Sequence, residues 1–97
     1  MTMAAAEGAK HGHETVIQNR LGLHARPAAM FVREANRHKC EIHVEKDGET
    51  INGKSIMGLM MLAAGMGSKI RITAAGPGAQ EAVQALLHLV ERKFDEE

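Results

Sequence analysis

The chain has 97 residues, the length of a single small domain with one modest core. Twelve basic residues balance twelve acidic ones, and Phe31 and Phe94 are the only aromatic residues. This composition offers neither a basic field nor exposed stacking side chains, so it argues against binding of nucleic acid or of an anionic membrane.

The single cysteine, Cys40, excludes an intramolecular disulfide and a thiolate cluster for a metal. The first residues lack the apolar run of a signal peptide, and no stretch is long and apolar enough for a membrane span. We therefore expect a cytoplasmic protein without metal or cofactor, with a flexible tail at 1–13 and one domain at 14–97.

The first half of the chain alternates between strand and helix patterns. A β-branched run predicts a strand over 15–19, and apolar residues at spacings of three and four predict a helix from Pro27 to about His38. Alternating apolar and charged residues predict a strand over 41–45. An Asp-Gly turn then leads to a brief antiparallel partner over 50–52.

The second half repeats this alternation. Ser55 is a helix N-cap, and the helix that follows should end at Gly65. Alternation predicts a strand over 69–74, and a last helix runs over 79–93. The apolar stripe of that helix contains Val83, Leu86, Leu87, Val90 and Phe94.

The order β-α-β-β-α-β-α predicts an α+β fold. Each strand has one apolar side, so we expect an open-faced β-sandwich in which a four-stranded antiparallel sheet carries three helices on one face. The core should be aliphatic, with methionine filling the gaps.

The segment from Gly22 to Ala28 combines a nucleophile, a fixed cation and a helix start. A neutral imidazole at His24 can attack a phosphoryl donor. The backbone N–H groups of Ala25 and Arg26 lack partners within the helix, and the helix dipole favours an anion at that end. The Arg26 guanidinium suits phosphate oxygens. Pro27 loses only an N–H that would lack a partner in any case.

The segment from Asn19 to Ala28 (NRLGLHARPA) closely resembles the active-site segment of the HPr family, the histidine-containing phosphocarriers of the bacterial phosphotransferase system. A second segment, from Asn52 to Gly58 (NGKSIMG), is similar to the region around that family's regulatory serine. The resemblance implies that His24 carries the phosphoryl group on Nδ1 and that Arg26 stabilises it. It also implies a donor, enzyme I, which is charged by phosphoenolpyruvate, and acceptors among the enzyme IIA components of sugar uptake.

Ser55 has a structural and a regulatory interpretation. As a cap it satisfies one helix N–H, which stabilises the helix by about 1 kcal/mol. The resemblance adds phosphorylation by an ATP-dependent HPr kinase/phosphorylase. It also implies an apolar docking patch at Ile56, Met57 and Met60, and we expect one or two of the three methionines at 57, 60 and 61 to be exposed.

We expect a monomer that acts as a stoichiometric carrier rather than an enzyme. The alternative is a regulatory binding module, of the nitrogen-related or catabolite-control branch, whose phosphorylation state selects its protein partners. Two histidines, His11 and His13, do not complete a metal site. The acidic residues 95–97 are interpreted as a solvated end.

Overall fold

The structure is a computed structural model that describes residues 10–96. Within that range the chain forms strands and helices in the predicted order. They are β1 (Lys10–Val16), α1 (Ala25–Ala35), β2 (Glu41–Lys46), β3 (Glu49–Asn52), α2 (Ile56–Met61), β4 (Lys69–Ala75) and α3 (Ala79–Glu91). A 3₁₀ turn, Lys93–Asp95, follows α3.

The strands form one antiparallel sheet in the order β1-β4-β2-β3. Alternate residues of the central strands are buried, for example Ile42 and Val44 in β2 and Ile70 and Ile72 in β4. These side chains share one core with the apolar faces of the three helices. The predicted α+β open sheet with three helices is therefore confirmed.

The core contains both phenylalanines of the chain, Phe31 and Phe94, which are 0% and 1% exposed. Apart from Cys40, the rest of the core is aliphatic, as predicted, but the expectation that methionine fills its gaps is wrong. Of the methionines in residues 10–96, only Met30 packs partly against the core, and the others are exposed.

The first strand begins five residues earlier than predicted. β1 pairs with β4 from Lys10, opposite Ala75, to Val16, opposite Lys69. Its side chains are exposed or half-buried, so it shows no apolar alternation, and main-chain hydrogen bonds rather than burial define it. The predicted boundary between residues 13 and 14 thus falls inside β1, while residues 1–9 of the predicted tail lie outside the described range.

All three helices end earlier than predicted. α1 ends at Ala35 rather than near His38. α2 ends at Met61, and the chain then turns through Ala63, whose φ is 53°, before it reaches Gly65. α3 ends at Glu91 rather than at residue 93. None of the helices described in residues 10–96 is long and apolar enough to cross a membrane.

Candidate functional site

His24 is the N-cap residue of α1, as the sequence predicts. Its backbone is extended, with φ −77° and ψ −171°, and its carbonyl accepts the Ala28 N–H at 3.0 Å. The imidazole makes no capping hydrogen bond, so the ring is not used to satisfy the helix end. α1 is anchored by its buried face, which contains Pro27, Ala28, Phe31, Val32 and Ala35.

The loop that carries His24 is fixed to the loop after α2. Leu23 donates its N–H to the Ala64 carbonyl at 2.9 Å. Gly22 has a φ of 70°, and a Cβ at this position would collide with the Ala64 carbonyl oxygen and lie 2.7 Å from the Gly65 Cα. Only glycine combines this backbone conformation with such a close approach.

Glu96 contacts the His24 ring, although the sequence offered no sign of it. The Nε2 atom lies 2.9 Å from Oε2 of Glu96 and 3.3 Å from Oε1. The side chain of His24 is 36% exposed and that of Glu96 is 16% exposed. The prediction that the acidic end is solvated is therefore wrong for Glu96.

Asn19 joins the same group from beneath the loop. It is fully buried, and its Nδ2 donates to the Gly22 carbonyl at 2.8 Å and to Oε1 of Glu96 at 3.0 Å. Asn19 thus connects the turn before His24 to the carboxylate that holds the ring. Its own Oδ1 has no hydrogen-bond partner among residues 10–96.

An unusual backbone turn brings Glu96 to the site. Lys93, Phe94 and Asp95 all have left-handed φ values, of 57°, 52° and 59°. Each such residue costs about 1–2 kcal/mol, and burial of a phenylalanine returns about 1.5–3 kcal/mol. The buried Phe94 ring is therefore the anchor that offsets part of this strain and fixes where Glu96 lies.

The contact with Glu96 distinguishes the two ring nitrogens of His24. An ionised carboxylate can only accept hydrogen bonds, so Nε2 must carry the proton of a neutral ring. The lone pair then resides on Nδ1, which has no partner among the described residues. The site thus presents an unbonded nitrogen nucleophile at a helix N-terminus.

The two residues that follow His24 offer hydrogen-bond donors for an anion. The N–H groups of Ala25 and Arg26 lie in the first turn of α1 and have no acceptor in the described part of the chain. The Arg26 side chain is exposed and forms no ion pair there. A helix N-terminus with such groups favours a bound phosphoryl anion.

Ser55 is the N-cap of α2, which confirms the predicted cap. Its Oγ accepts the Gly58 N–H at 2.9 Å. The residue is half-buried, and this structural bond occupies one lone pair of the hydroxyl oxygen.

An open cleft of about 270 Å³ lies beside His24. It is lined by Leu21, Leu23, His24, Met60, Ala63, Ala64 and Gly65. The residues predicted to form the docking patch are exposed by 42% at Ile56, 72% at Met57 and 45% at Met60. The sequence did not predict the exposure of Leu21 and Met66. The expectation that one or two of the methionines at 57, 60 and 61 are exposed is wrong, because all three are exposed, Met61 by 75%.

The described residues bring together no group of three or more histidine, cysteine, aspartate and glutamate side chains that could hold a metal. His11 and His13 lie on β1, the strand before the His24 loop.

Comparison with known protein families gives a match over residues 12–92 to the PTS HPr component phosphorylation site family. The chain is 52% identical over 77 residues to the HPr-like protein Crh of Halalkalibacterium halodurans, covering 79% of this chain and 92% of that protein. It is 46% identical over 84 residues to phosphocarrier protein HPr of Pseudomonas aeruginosa, covering 86% and 93%.

Solved structures give the same result. HPr of Thermoanaerobacter tengcongensis superposes with a TM-score of 0.87 at 45% identity, covering 90% of this chain and 98% of that one. Crh of Bacillus subtilis, described as a dimer with a swapped domain, superposes with a TM-score of 0.70 at 44% identity, covering 81% and 91%.

Proposed function

Because the chain belongs to the HPr family of phosphocarrier proteins of the phosphotransferase system, we propose that His24 accepts a phosphoryl group from phosphorylated enzyme I and passes it to enzyme IIA components of sugar uptake. Proteins of this family are carriers and not enzymes. The observation that carries the proposal is the asymmetry of the His24 ring, in which Glu96 occupies Nε2 and leaves Nδ1 unbonded. The proposed compartment is the cytoplasm.

Acceptance is a displacement at phosphorus. The Nδ1 lone pair forms the new N–P bond, while the bond from phosphorus to the donor's leaving atom breaks and the donor keeps that electron pair. The ring gains positive charge as the N–P bond forms. The Glu96 carboxylate, which accepts the Nε2–H bond, holds the reactive tautomer and stabilises this charge, as the aspartate of a catalytic triad does for its imidazole.

The same arrangement suits the onward step. A cationic imidazole is a good leaving group, because the electron pair of the N–P bond returns to Nδ1 and leaves a neutral ring. In this proposal the unpartnered N–H groups of Ala25 and Arg26 and the Arg26 guanidinium stabilise the phosphoryl oxygens between the two steps. His24 and Arg26 are thus the residues that contact the transferred group.

The cleft beside His24 is the proposed docking surface for enzyme I and, in turn, for enzyme IIA. Met60 lines this cleft, and Ile56 and Met57 expose apolar side chains on the same helix. Thioethers adapt to partners of different shape. A surface used in succession by two proteins benefits from this adaptability.

Phosphorylation of Ser55 by an HPr kinase/phosphorylase is a regulatory proposal. A phosphate would add about two negative charges five positions before Met60, and these charges would oppose a partner that docks through acidic residues. The Gly58 N–H occupies one lone pair of the Ser55 hydroxyl oxygen, so the second lone pair remains for attack on the phosphoryl donor. Phosphorylating Ser55 with the kinase and ATP should slow the transfer of the phosphoryl group from enzyme I to His24. An unchanged transfer rate would refute this regulatory proposal.

A second candidate function is a regulatory binding module, favoured by the similarity to Crh proteins. Its output would be the choice of partner rather than delivery of phosphate. A reconstituted sugar-phosphorylation assay separates the two: a carrier discharges to an enzyme IIA, whereas a pure module binds its targets and retains the phosphate.

Incubation with enzyme I and phosphoenolpyruvate tests the main proposal. We expect one phosphoryl group per chain, labile in acid and stable in alkali, which is lost in His24→Ala. His88→Ala, which removes an exposed histidine on α3, is the matched control and should be phosphorylated like the wild type. A phosphate that persists in His24→Ala would refute the site.

A further inference from the structure

The sulfur atoms of the chain are distributed unevenly over the fold. Residues 10–96 contain five methionines, and all except Met30 are exposed. Their exposed fractions are 72% at Met57, 45% at Met60, 75% at Met61 and 63% at Met66. Thioethers are usually placed in a core or interface, so four exposed ones on a domain of this size need an explanation.

One of these four side chains lines the His24 cleft, and the other three belong to α2 and to the segment that follows it. Met60 lines the cleft together with His24. Met57 and Met61 belong to the same helix and are four positions apart, and Met57 is three positions from Met60, so the three share one helix face. Met66 directly follows Gly65, another residue of the cleft lining.

Other readily oxidised groups are absent or protected. The chain has no tryptophan or tyrosine. Its only thiol, on Cys40, is 1% exposed. Within residues 10–96, a peroxide therefore meets exposed sulfur only on α2 and at Met66, in the part of the chain that contributes Met60, Ala63, Ala64 and Gly65 to the cleft beside His24.

We propose that Met57, Met60, Met61 and Met66 form an oxidation site at which hydroperoxides switch off phosphoryl transfer. A sulfur lone pair takes one oxygen atom from the hydroperoxide. The O–O bond breaks, the peroxide is reduced to water or an alcohol, and the thioether is oxidised to a sulfoxide. A methionine sulfoxide reductase, supplied with a thiol reductant, reverses the step.

Oxidation would slow phosphoryl transfer because docking of enzyme I would bury the oxidised side chains. In the free protein these side chains are exposed, so a polar sulfoxide costs the fold little. In a complex the S=O group would have to leave water and enter an apolar contact without a hydrogen-bond partner, which is unfavourable. This inference rests on the proposed docking of enzyme I beside His24.

The test compares phosphorylation rates before and after treatment with hydrogen peroxide. Enzyme I, phosphoenolpyruvate and a concentration of carrier below saturation are used, and peptide mass spectrometry locates the added oxygen atoms. We expect oxidation at the four positions, a rate lowered about tenfold or more, an unchanged unfolding midpoint and recovery of the rate after reductase treatment.

Two variants identify the atoms responsible. A variant with leucine at 57, 60, 61 and 66 should have the same rate before and after peroxide, whatever its starting rate. Cys40→Ala should respond to peroxide as the wild type does. An oxidised wild type that transfers at its original rate, or a leucine variant that still loses its rate, would overturn the proposal.

The readout also separates this inference from the function on which it rests. If untreated protein is not phosphorylated at His24, the carrier proposal fails. If it is phosphorylated there and peroxide has no effect, only the oxidation site is rejected.

Discussion

His24 has two ring nitrogens in different surroundings, and the proposed mechanism depends on this difference. Nε2 faces the Glu96 carboxylate at 2.9 Å, and Nδ1 is unbonded within the described chain. Glu96 does not contact the reacting phosphorus in the proposed mechanism. Its role is to hold one tautomer and to balance the charge that the ring gains.

Replacing Glu96 with glutamine should slow phosphorylation of His24 about tenfold. An amide can either donate to or accept from Nε2, so the ring is no longer held in one tautomer, and the compensating charge is lost. Hydrogen bonds to charged groups contribute about 1.5–3 kcal/mol. A tenfold change in rate corresponds to about 1.4 kcal/mol, close to the lower end of that range, which suits a half-exposed ring. Initial rates with enzyme I measure the effect.

Glu91→Gln is the matched control, because Glu91 is an exposed carboxylate at the end of α3. It should accept phosphate like the wild type. NMR of the isotopically labelled imidazole adds a second readout: the neutral ring should carry its proton on Nε2 in the wild type and on both nitrogens, in exchange, in Glu96→Gln. An unchanged rate and tautomer would mean that Glu96 is only a structural neighbour.

Local sequence predicted half of this site. His24, Arg26 and the helix start lie within seven residues, so one motif contains them. Glu96 is 72 positions from His24, and its placement depends on the left-handed turn around Phe94, which no local propensity favours. Asn19 belongs to the recognised segment, but its bonds to Gly22 and Glu96 depend equally on the folded chain.

The loop between β1 and α1 is the element that presents His24. It is held against the loop after α2 by the Leu23 to Ala64 hydrogen bond. Because Gly22 lies against the Ala64 carbonyl, the two loops can approach each other only where no side chain intervenes.

Gly22→Ala should destabilise the fold by about 2–4 kcal/mol, since strain at a left-handed backbone adds to a collision with a main-chain atom. Gly48→Ala measures the cost of the backbone strain alone. Gly48 also has a left-handed φ, of 83°, but nothing lies within 4 Å of a Cβ there, so its cost should be about 1 kcal/mol. Urea unfolding measures both, and equal losses would show that the contact with Ala64 is unimportant.

Ser55→Ala should lower the free energy of unfolding by about 1 kcal/mol, because the Gly58 N–H loses its acceptor. Ser55→Asp, which also accepts this bond, should retain most of the stability. Denaturant titration of the three proteins checks the cap. If the alanine and aspartate variants were equally destabilised, the hydroxyl would have no capping role.

The bounds of strands and helices were predicted accurately where the sequence pattern of apolar and polar residues is strong. β2 and β4 were predicted to within one residue at each end, because apolar and polar residues alternate along strands with one buried face. β1 was misplaced because its exposed side chains carry no such pattern. The end of α2 was overestimated because the helix stops before the glycines that would have signalled it.

At the scale of the whole molecule, the site is assembled from distant parts of one chain: the loop before α1, the loop after α2 and the turn after α3. Each alone is a surface segment, and the common core of sheet and helices sets their spacing. This explains why fold and carrier chemistry were predictable from motifs and order of elements, while the shape of the cleft was not.

The oligomeric state stays a prediction. We expect a monomer of 10.5 kDa, although the similar Crh of Bacillus subtilis is described as a swapped dimer. Sedimentation equilibrium of the full chain over a range of concentrations tests this directly. A species of twice the monomer mass that persists on dilution would contradict it.

The most direct test of the central claim is to identify the phosphorylated atom. The chain, with isotopically labelled histidine, is phosphorylated by enzyme I and phosphoenolpyruvate and examined by heteronuclear NMR under alkaline conditions. The account predicts one phosphorylated histidine, His24, with phosphorus coupled to Nδ1 and with the proton retained on Nε2. Phosphorus on Nε2, or on any other side chain, would contradict it.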